Sequence, residues 1–371
     1  MKLRNKIFLS LAAVLAVGVT ALMMTLSYEA PCPPPPPLTA GAESMRAVMH
    51  RCYGPPGKVL AIERIARPKP AKGEILIKIR AASVNPYEYH MVTGKPYVMR
   101  LMGTGLALPE HHRVGYDMAG TVDAIGEGVT HFKVGDAVFG GAHGALAEYA
   151  LASEDGDVVA KPEEVSYEDA AALLIAGGTA LQALRDYGNV AAGQKVLING
   201  ASGGVGTYAV QLAKDFGAEV TAVCSTRNVE LVRSLGADHV IDYTRENFTE
   251  GAQQYDLIVD NVGNQDFLDL RRVVKPTGTI VTVSGPKTNN FLGPISRIIK
   301  MKMLAPFIDQ KLVFFVADVD APDLEMFAKL MLEGKLKTVI DRQYPLEQAG
   351  AALDYIGGGR ARGKVIITFA Y

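Results

Sequence analysis

The sequence predicts an α/β chain: a β-rich unit, then a doubly wound parallel sheet, with a hydrophobic helix at the N-terminus. Three observations carry that expectation. Residues 45–140 hold short β-branched runs punctuated by glycine; beyond about Ser166 short apolar strands alternate with amphipathic stretches; and the glycine-rich turn Gly200–Gly206 joins one such strand to the stretch after it. The 371 residues, 49% apolar and 21% charged, suffice for about two domains with a large core. With 38 basic against 39 acidic residues, the chain lacks the positive excess that marks a nucleic-acid surface, and no such partner is expected. The three cysteines, Cys32, Cys52 and Cys224, contain no Cys-x-x-Cys pair and are too few for a disulfide framework. The fold is therefore expected to rest on packing.

Mean hydropathy is +0.13, and much of the apolar excess lies at the N-terminus. Ile7 to Leu26 is an apolar run broken only by Ser10, Gly18, Thr20 and Thr25, and it follows Lys2, Arg4 and Lys6. As a helix it would cover roughly the 30 Å of a bilayer core. The expectation is a membrane anchor through residues 7–26; a cleaved signal, with a site after Val19-Thr20-Ala21, and translation starting at Met45 are the alternatives. Pro31 to Ala42 (PCPPPPPLTAGA) reads as a stiff polyproline spacer that holds the body off the membrane. The flanking charges place the body on the outer side, whereas the lack of a disulfide framework suits a reducing compartment, so the side stays open.

The body begins at Met45 with a short apolar strand. Glu74 to Ala82 (EILIKIRAA) sets Ile75, Ile77 and Ile79 against Lys78 and Arg80, the period of a half-buried strand. Thr121 to Phe139 carries short strands separated by Gly126, Gly128 and Gly135, as a compact barrel with tight turns requires. The alternating region then reads strand Lys195–Asn199, helix Val205–Phe216, strand Glu219–Val223, helix Val229–Leu235, and strands near His239–Ile241 and Leu257–Asp260. Further elements at Leu312–Val316, Asp323–Leu332, Lys337–Ile340, Leu346–Ile356 and Lys364–Phe369 follow, part of which is expected to return to the first unit.

The turn Gly200-Ala201-Ser202-Gly203-Gly204-Val205-Gly206 is the strongest chemical signal. Glycines between a strand and a helix let the backbone approach a pyrophosphate and aim helix N–H groups at it. The frame is G-x-x-G-x-x-G, so the strict dinucleotide fingerprint is not met. Where NAD sites place an acid about 20 residues on, this chain has Val223-Cys224-Ser225-Thr226-Arg227. Hydroxyls with a guanidinium suit a 2′-phosphate, so the cofactor expected is NADPH. A solvated arginine at a helix start is the bland alternative for Arg227.

These segments resemble the medium-chain dehydrogenase/reductase superfamily, in its zinc-free quinone oxidoreductase-like branch. The resemblance covers about Met45 to Tyr371 and rests on SVNP (83–86), GYDMAGTVDAIGEGVTHFKVGDAVFG (115–140), GGTALQAL (177–184), GQKVLINGASGGVG (193–206) and LGADHVIDY (235–243). It implies a GroES-like catalytic domain from residues 45–167 and 316–371 around a Rossmann NADP-binding domain at 168–315, behind the anchor and proline linker of residues 1–44. Zinc-dependent relatives carry Gly-His-Glu where this chain has Gly115-Tyr116-Asp117, and a ligand cysteine where it has Ser83-Val84-Asn85. Adjacent His111 and His112 do not make up a ligand set, so no metal is expected. No Tyr-x-x-x-Lys is present, which argues against short-chain reductase chemistry.

Without zinc, the acceptor must itself spread charge as hydride arrives, as a quinone or an α,β-unsaturated carbonyl does. The resemblance implies Asn85 in the cleft, with Tyr87 and His90 as further hydrogen-bond or proton donors. Cofactor contacts are expected from Ser202, Gly203, Gly204, Val205, Gly206, Ser225, Thr226 and Arg227, and from Thr179, Tyr243, Asn261, Phe315 and Lys364. Leu101, Met102, Leu106 and Leu108 would line an acceptor pocket or pack a loop. A homodimer is a further expectation. A 2-enoyl-thioester reductase and a non-catalytic NADPH-binding protein are the competing readings.

Overall fold

The computed structural model describes residues 14, 17–38, 40–285 and 290–370. Two large sheets organise them. The first contains β3 (Glu74–Val84), β4 (Asp117–Ile125), β5 (Ala137–Gly141), β6 (Tyr149–Ser153) and β7 (Val158–Ala160), together with β14 (Ile340–Pro345) and β15 (Lys364–Thr368) from the far end of the chain. Its order is β14-β15-β3-β4-β5-β7, with β6 paired to β3. A two-stranded sheet of β1 (Ser44–His50) and β2 (Leu60–Ala66) precedes it. The alternation in β3 works as read: Ile75, Ile77 and Ile79 are buried and Arg80 is exposed. Gly128 and Gly135 take positive φ in the turn that leads from β4 to β5.

The second sheet is parallel, in the order β10-β9-β8-β11-β12-β13. Its strands are β8 (Lys195–Asn199), β9 (Glu219–Cys224), β10 (His239–Asp242), β11 (Tyr255–Asp260), β12 (Val274–Thr282) and β13 (Lys311–Phe314). In chain order this is the 3-2-1-4-5-6 pattern of a dinucleotide-binding fold, whose strand order reverses beside β8. Val196, Leu197 and Ile198 are all fully buried, because helices cover both faces of a parallel sheet. Thus an α/β fold with a GroES-like and a Rossmann-like sheet is present.

One core cluster spans the two sheets: Ala81, Ala119, Phe139 and Ile366 of the first pack with Leu174, Leu181, Tyr208 and Val259 of the second unit. The helix Ala321–Leu332 joins that cluster through Leu324, Phe327 and Leu330.

The N-terminal expectations change. Much of the run 7–26 lies outside the described residues; residues 17–27 are helical, and no helix among the described residues is long and apolar enough to cross a membrane. Nor is the stretch Pro31–Ala42, expected as a spacer, free of the body at its start. Leu26 is buried, the Tyr28 carbonyl accepts from Nη1 of Arg100 at 2.7 Å, and Cys32 is disulfide-bonded to Cys52. These two cysteines, of a set read as too few for a disulfide framework, lie 20 residues apart with Cα atoms 4.8 Å from each other. Spacing alone could not show that the chain folds back at β1.

Candidate active site

The glycine turn is built as the sequence requires. Gly200 has φ +78°, which a side chain would oppose. A Cβ on Gly206 would stand 2.2 Å from the Gly200 carbonyl, so only glycine lets the helix Gly204–Asp215 start this close to β8. That helix opens its N-terminal N–H groups at the carboxyl ends of the parallel strands, where an anion is stabilised. Ser202 Oγ accepts from Asn228 Nδ2 at 2.8 Å, which fixes the turn to the segment after β9. Asn261, after β11, has both amide atoms buried with no partner, as has the Oδ1 of Asn228. Such orphaned groups beside a glycine cradle fit a bound nucleotide, which would satisfy them.

The first sheet meets this turn directly. Gly363 N donates to the Ser202 carbonyl at 2.9 Å, and Gly203 and Gly363 form an isolated bridge. The next residue, Lys364, is 2% exposed and lies against Gly204: a Cβ there would come within 3.3 Å of the lysine Cδ. Its Nζ donates to Oδ1 of Asn85 at 2.5 Å and lies 3.4 Å from Oδ2 of Asp117. That carboxylate also accepts from Ser83 Oγ at 2.9 Å and from Asn85 Nδ2 at 3.1 Å. Across the sheets, the backbone N–H of Ile175 reaches its other oxygen at 3.4 Å.

Glu88 completes the cluster. It is buried in the first turn of the helix Pro86–Thr93, where one carboxyl oxygen accepts from Asn85 N at 2.9 Å and the other has no partner. Burial, with Asp117 nearby, pushes this carboxyl up to about 7. Sequence reading misses Glu88 altogether, and Asp117 enters it only as a replaced zinc-site position. The available signal was polarity out of place: an acid heading the apolar strand DMAGTV and a lysine heading KVIIT.

The remaining expected residues divide. Asn85 is held in the cluster, with one N–H left over once Asp117 and Lys364 are satisfied. Tyr87 is half exposed, and His90 donates from Nδ1 to the Lys95 carbonyl at 2.7 Å. Thr179 is buried with its hydroxyl turned onto the Ile175 carbonyl within its own helix. Val205 packs against the core. Ser225 and Arg227 flank the end of β9, where Arg227 Nη2 reaches the Arg360 carbonyl at 2.8 Å, and Tyr243 is exposed. Phe315 is buried and stacked on Tyr187 with centroids 4.3 Å apart.

The stretch after β9 has no acid, yet the fold supplies one. Asp242, ending β10, accepts from the Thr226 hydroxyl at 2.5 Å and from Thr244, and these bonds hold its carboxyl below the usual range. Pairing of β9 with β10 brings it there, which no reading of one strand could reveal.

The sequence model of zinc-binding dehydrogenases matches residues 235–367, and that of the alcohol dehydrogenase GroES-like domain matches residues 71–163. A spinach chloroplastic quinone-oxidoreductase homolog is 36% identical over 88% of this chain and 99% of its own length. The mouse mitochondrial NAD(P)H oxidoreductase RTN4IP1 is 34% identical over 80% and 81%. The structure of the quinone oxidoreductase from Coxiella burnetii superposes with a TM-score of 0.77 at 33% identity, covering 88% of this chain and 99% of that one. The cluster around Asp117 does not offer a zinc site: Asn85 and Tyr116 supply neither thiolate nor imidazole, and an ammonium group already neutralises the carboxylate. Among the described residues no group of three His, Cys, Asp or Glu side chains is arranged to hold a metal.

Proposed function

The chain belongs to the medium-chain dehydrogenase/reductase superfamily, in its quinone oxidoreductase-like branch, and on that footing we propose that it is a zinc-independent NADPH-dependent reductase of quinones or α,β-unsaturated carbonyls. The observation that carries the reading is the junction of the glycine turn with the Asn85–Asp117–Lys364 cluster, which sets a phosphate-binding backbone beside a buried cation. The backbone of Ser202–Gly206, Lys364 and the orphaned amide of Asn261 would hold the dinucleotide. Arg227 is the residue that favours a 2′-phosphate, since the one acid beside Thr226, Asp242, already has its charge engaged by hydroxyls. When bound, NADPH supplies the hydride, and its nicotinamide carries the redox chemistry.

The protein's own part is orientation and charge. The Asp117–Lys364 contact ties the mobile head of a lysine to the catalytic sheet, so the cation is fixed before any ligand arrives. Asn85 keeps one N–H for an acceptor oxygen, and Tyr87, half exposed on the same helix, offers a phenol. The Lys95 carbonyl makes Nδ1 the protonated nitrogen of a neutral His90, so His90 delivers a proton only as imidazolium. Orientation and charge from these side chains suit an acceptor that itself delocalises charge into a quinol or an enolate.

The test is oxidation of NADPH and NADH by the purified protein with a naphthoquinone, a short enal and an enoyl thioester. Turnover with quinone or enal, faster with NADPH, is expected. Preference for the thioester would make it an enoyl-thioester reductase, and tight NADPH binding without turnover would make it a non-catalytic binding protein.

A further inference from the structure

Residues 94–108 form a bridge between the two units. Tyr97 N and Val98 N donate to the carbonyls of Asn290 and Phe291 at 2.7 and 3.0 Å, and the Tyr97 and Phe291 rings meet edge to face at 5.2 Å. On the other side Tyr53 OH donates to the Gly105 carbonyl at 2.9 Å, and Arg100 lies buried over the rings of Tyr53 and Tyr97 at 4.1 and 5.1 Å. This rim segment is thus well held at its root. Its tip is not covered: Leu101 is 51% exposed, Met102 71%, Leu106 51% and Leu108 37%. Four apolar side chains at the surface within eight residues make a patch of the kind that marks an interaction site.

What adjoins the patch identifies its occupant. The same Arg100 that anchors the rim donates from Nη1 to the Tyr28 carbonyl at 2.7 Å and to that of Leu106 at 3.4 Å. Lys95 lies 3.9 Å from Glu29, and Cys32 is bonded to Cys52, the residue before Tyr53. Three contacts therefore fasten residues 28–32 to the root of the rim. Leading into them is the apolar run 7–26, whose described helical part exposes Val17, Val19, Leu22, Met23 and Met24. The chain before residue 14 continues in the same character to Ile7 and ends in Lys2, Arg4 and Lys6, as a segment bound to a bilayer with anionic headgroups would.

We propose that the exposed tip of the rim, residues 101–108, rests on a lipid surface, held there by the strapped N-terminal run. The proline tract lies after the strap at Cys32, so it cannot act as a spacer between membrane and body. Insertion of Leu101, Met102 and Leu106 into the interface would remove their apolar surface from water. If the reductase reading also holds, its acceptors include quinones with long hydrocarbon tails delivered from the bilayer; the surface itself does not depend on that reading.

The test uses the full chain with an environment-sensitive fluorophore on Met102→Cys and, separately, on Val134→Cys, a position 60% exposed. Cys224 is buried and the other two cysteines are bonded to each other, so the introduced thiol takes the label. The vesicles are phosphatidylcholine with phosphatidylglycerol, with and without brominated acyl chains. In vesicle-bound protein the label at 102 should be quenched several-fold more by brominated lipid than the label at 134. Equal quenching overturns the proposal, as does failure of the chain to sediment with vesicles. So does a blue shift at 102 that grows with protein concentration in the absence of lipid, which would assign the face to a second copy. Hydrogen exchange on the unsubstituted chain gives the same answer without a variant: residues 99–108 should exchange more slowly when vesicles are present, and unchanged exchange contradicts the proposal. Both readouts are independent of enzyme activity, so they can fail while the reductase reading stands.

Discussion

The glycine turn and the buried polar cluster meet where Gly363 N reaches the Ser202 carbonyl, yet they are built by opposite means. The turn works by leaving side chains out, so that backbone N–H groups and a helix terminus stay open at the ends of the parallel strands, where an anion would be stabilised. The cluster works by putting charge and polarity in: Asp117, Glu88 and Lys364 are each no more than 2% exposed, Asp117 held by Lys364, Ser83 and Asn85, and Glu88 by the Asn85 backbone N–H alone. A region made of absent side chains tolerates pH and salt, whereas one made of buried charge depends on every member. The difference predicts how each half breaks.

Lys364→Met should have the largest effect, about 3–5 kcal/mol of lost stability measured by denaturant unfolding, because it leaves two buried acids uncompensated. Adding Asp117→Asn should recover most of that loss; no recovery would show that the lysine acts by packing alone. On the turn, Gly206→Ala should cost about 1–3 kcal/mol through the clash with the Gly200 carbonyl and weaken NADPH binding at every pH alike, as read by calorimetry.

Glu88 gives the comparison a pH axis. Burial raises its carboxyl to about 7 in the fold, above the 4.5 of a free glutamate, so the folded chain holds a proton that the unfolded chain releases. This contribution to stability therefore falls as pH rises from about 4.5 through 7, the opposite of an ion-paired acid. Glu88→Gln should be more stable than the parent by about 1–3 kcal/mol at pH 8, with the difference vanishing near pH 5. The smallest effect belongs to the exposed end of the turn: Arg227→Ala should raise the Kd for NADPH about tenfold and leave that for NADH within about twofold, a selectivity that an Arg–phosphate contact supports.

How far the sequence could be read follows the same division. The turn was legible because its physics is local: Gly200, Gly203 and Gly206 follow Lys195–Asn199 and open a helix within one stretch of chain. The strand–helix alternation was legible for the same reason, through the periods of its apolar residues. The cluster was not, because Asn85, Asp117 and Lys364 are up to 279 positions apart and meet only when β15 pairs with β3. Asp242 beside Thr226 and the Cys32–Cys52 bond are further products of strand pairing and chain reversal.

The central claim is hydride transfer by a site in which a lysine, and no metal, balances the buried carboxylates. The most direct measurement is isotope transfer from NADPH carrying deuterium at the nicotinamide, using protein whose metal content has been measured before and after chelation. With an enal as acceptor, the account predicts deuterium on the β-carbon and a rate that chelation leaves unchanged. Product without deuterium, or a rate that falls and returns with added zinc, would contradict it.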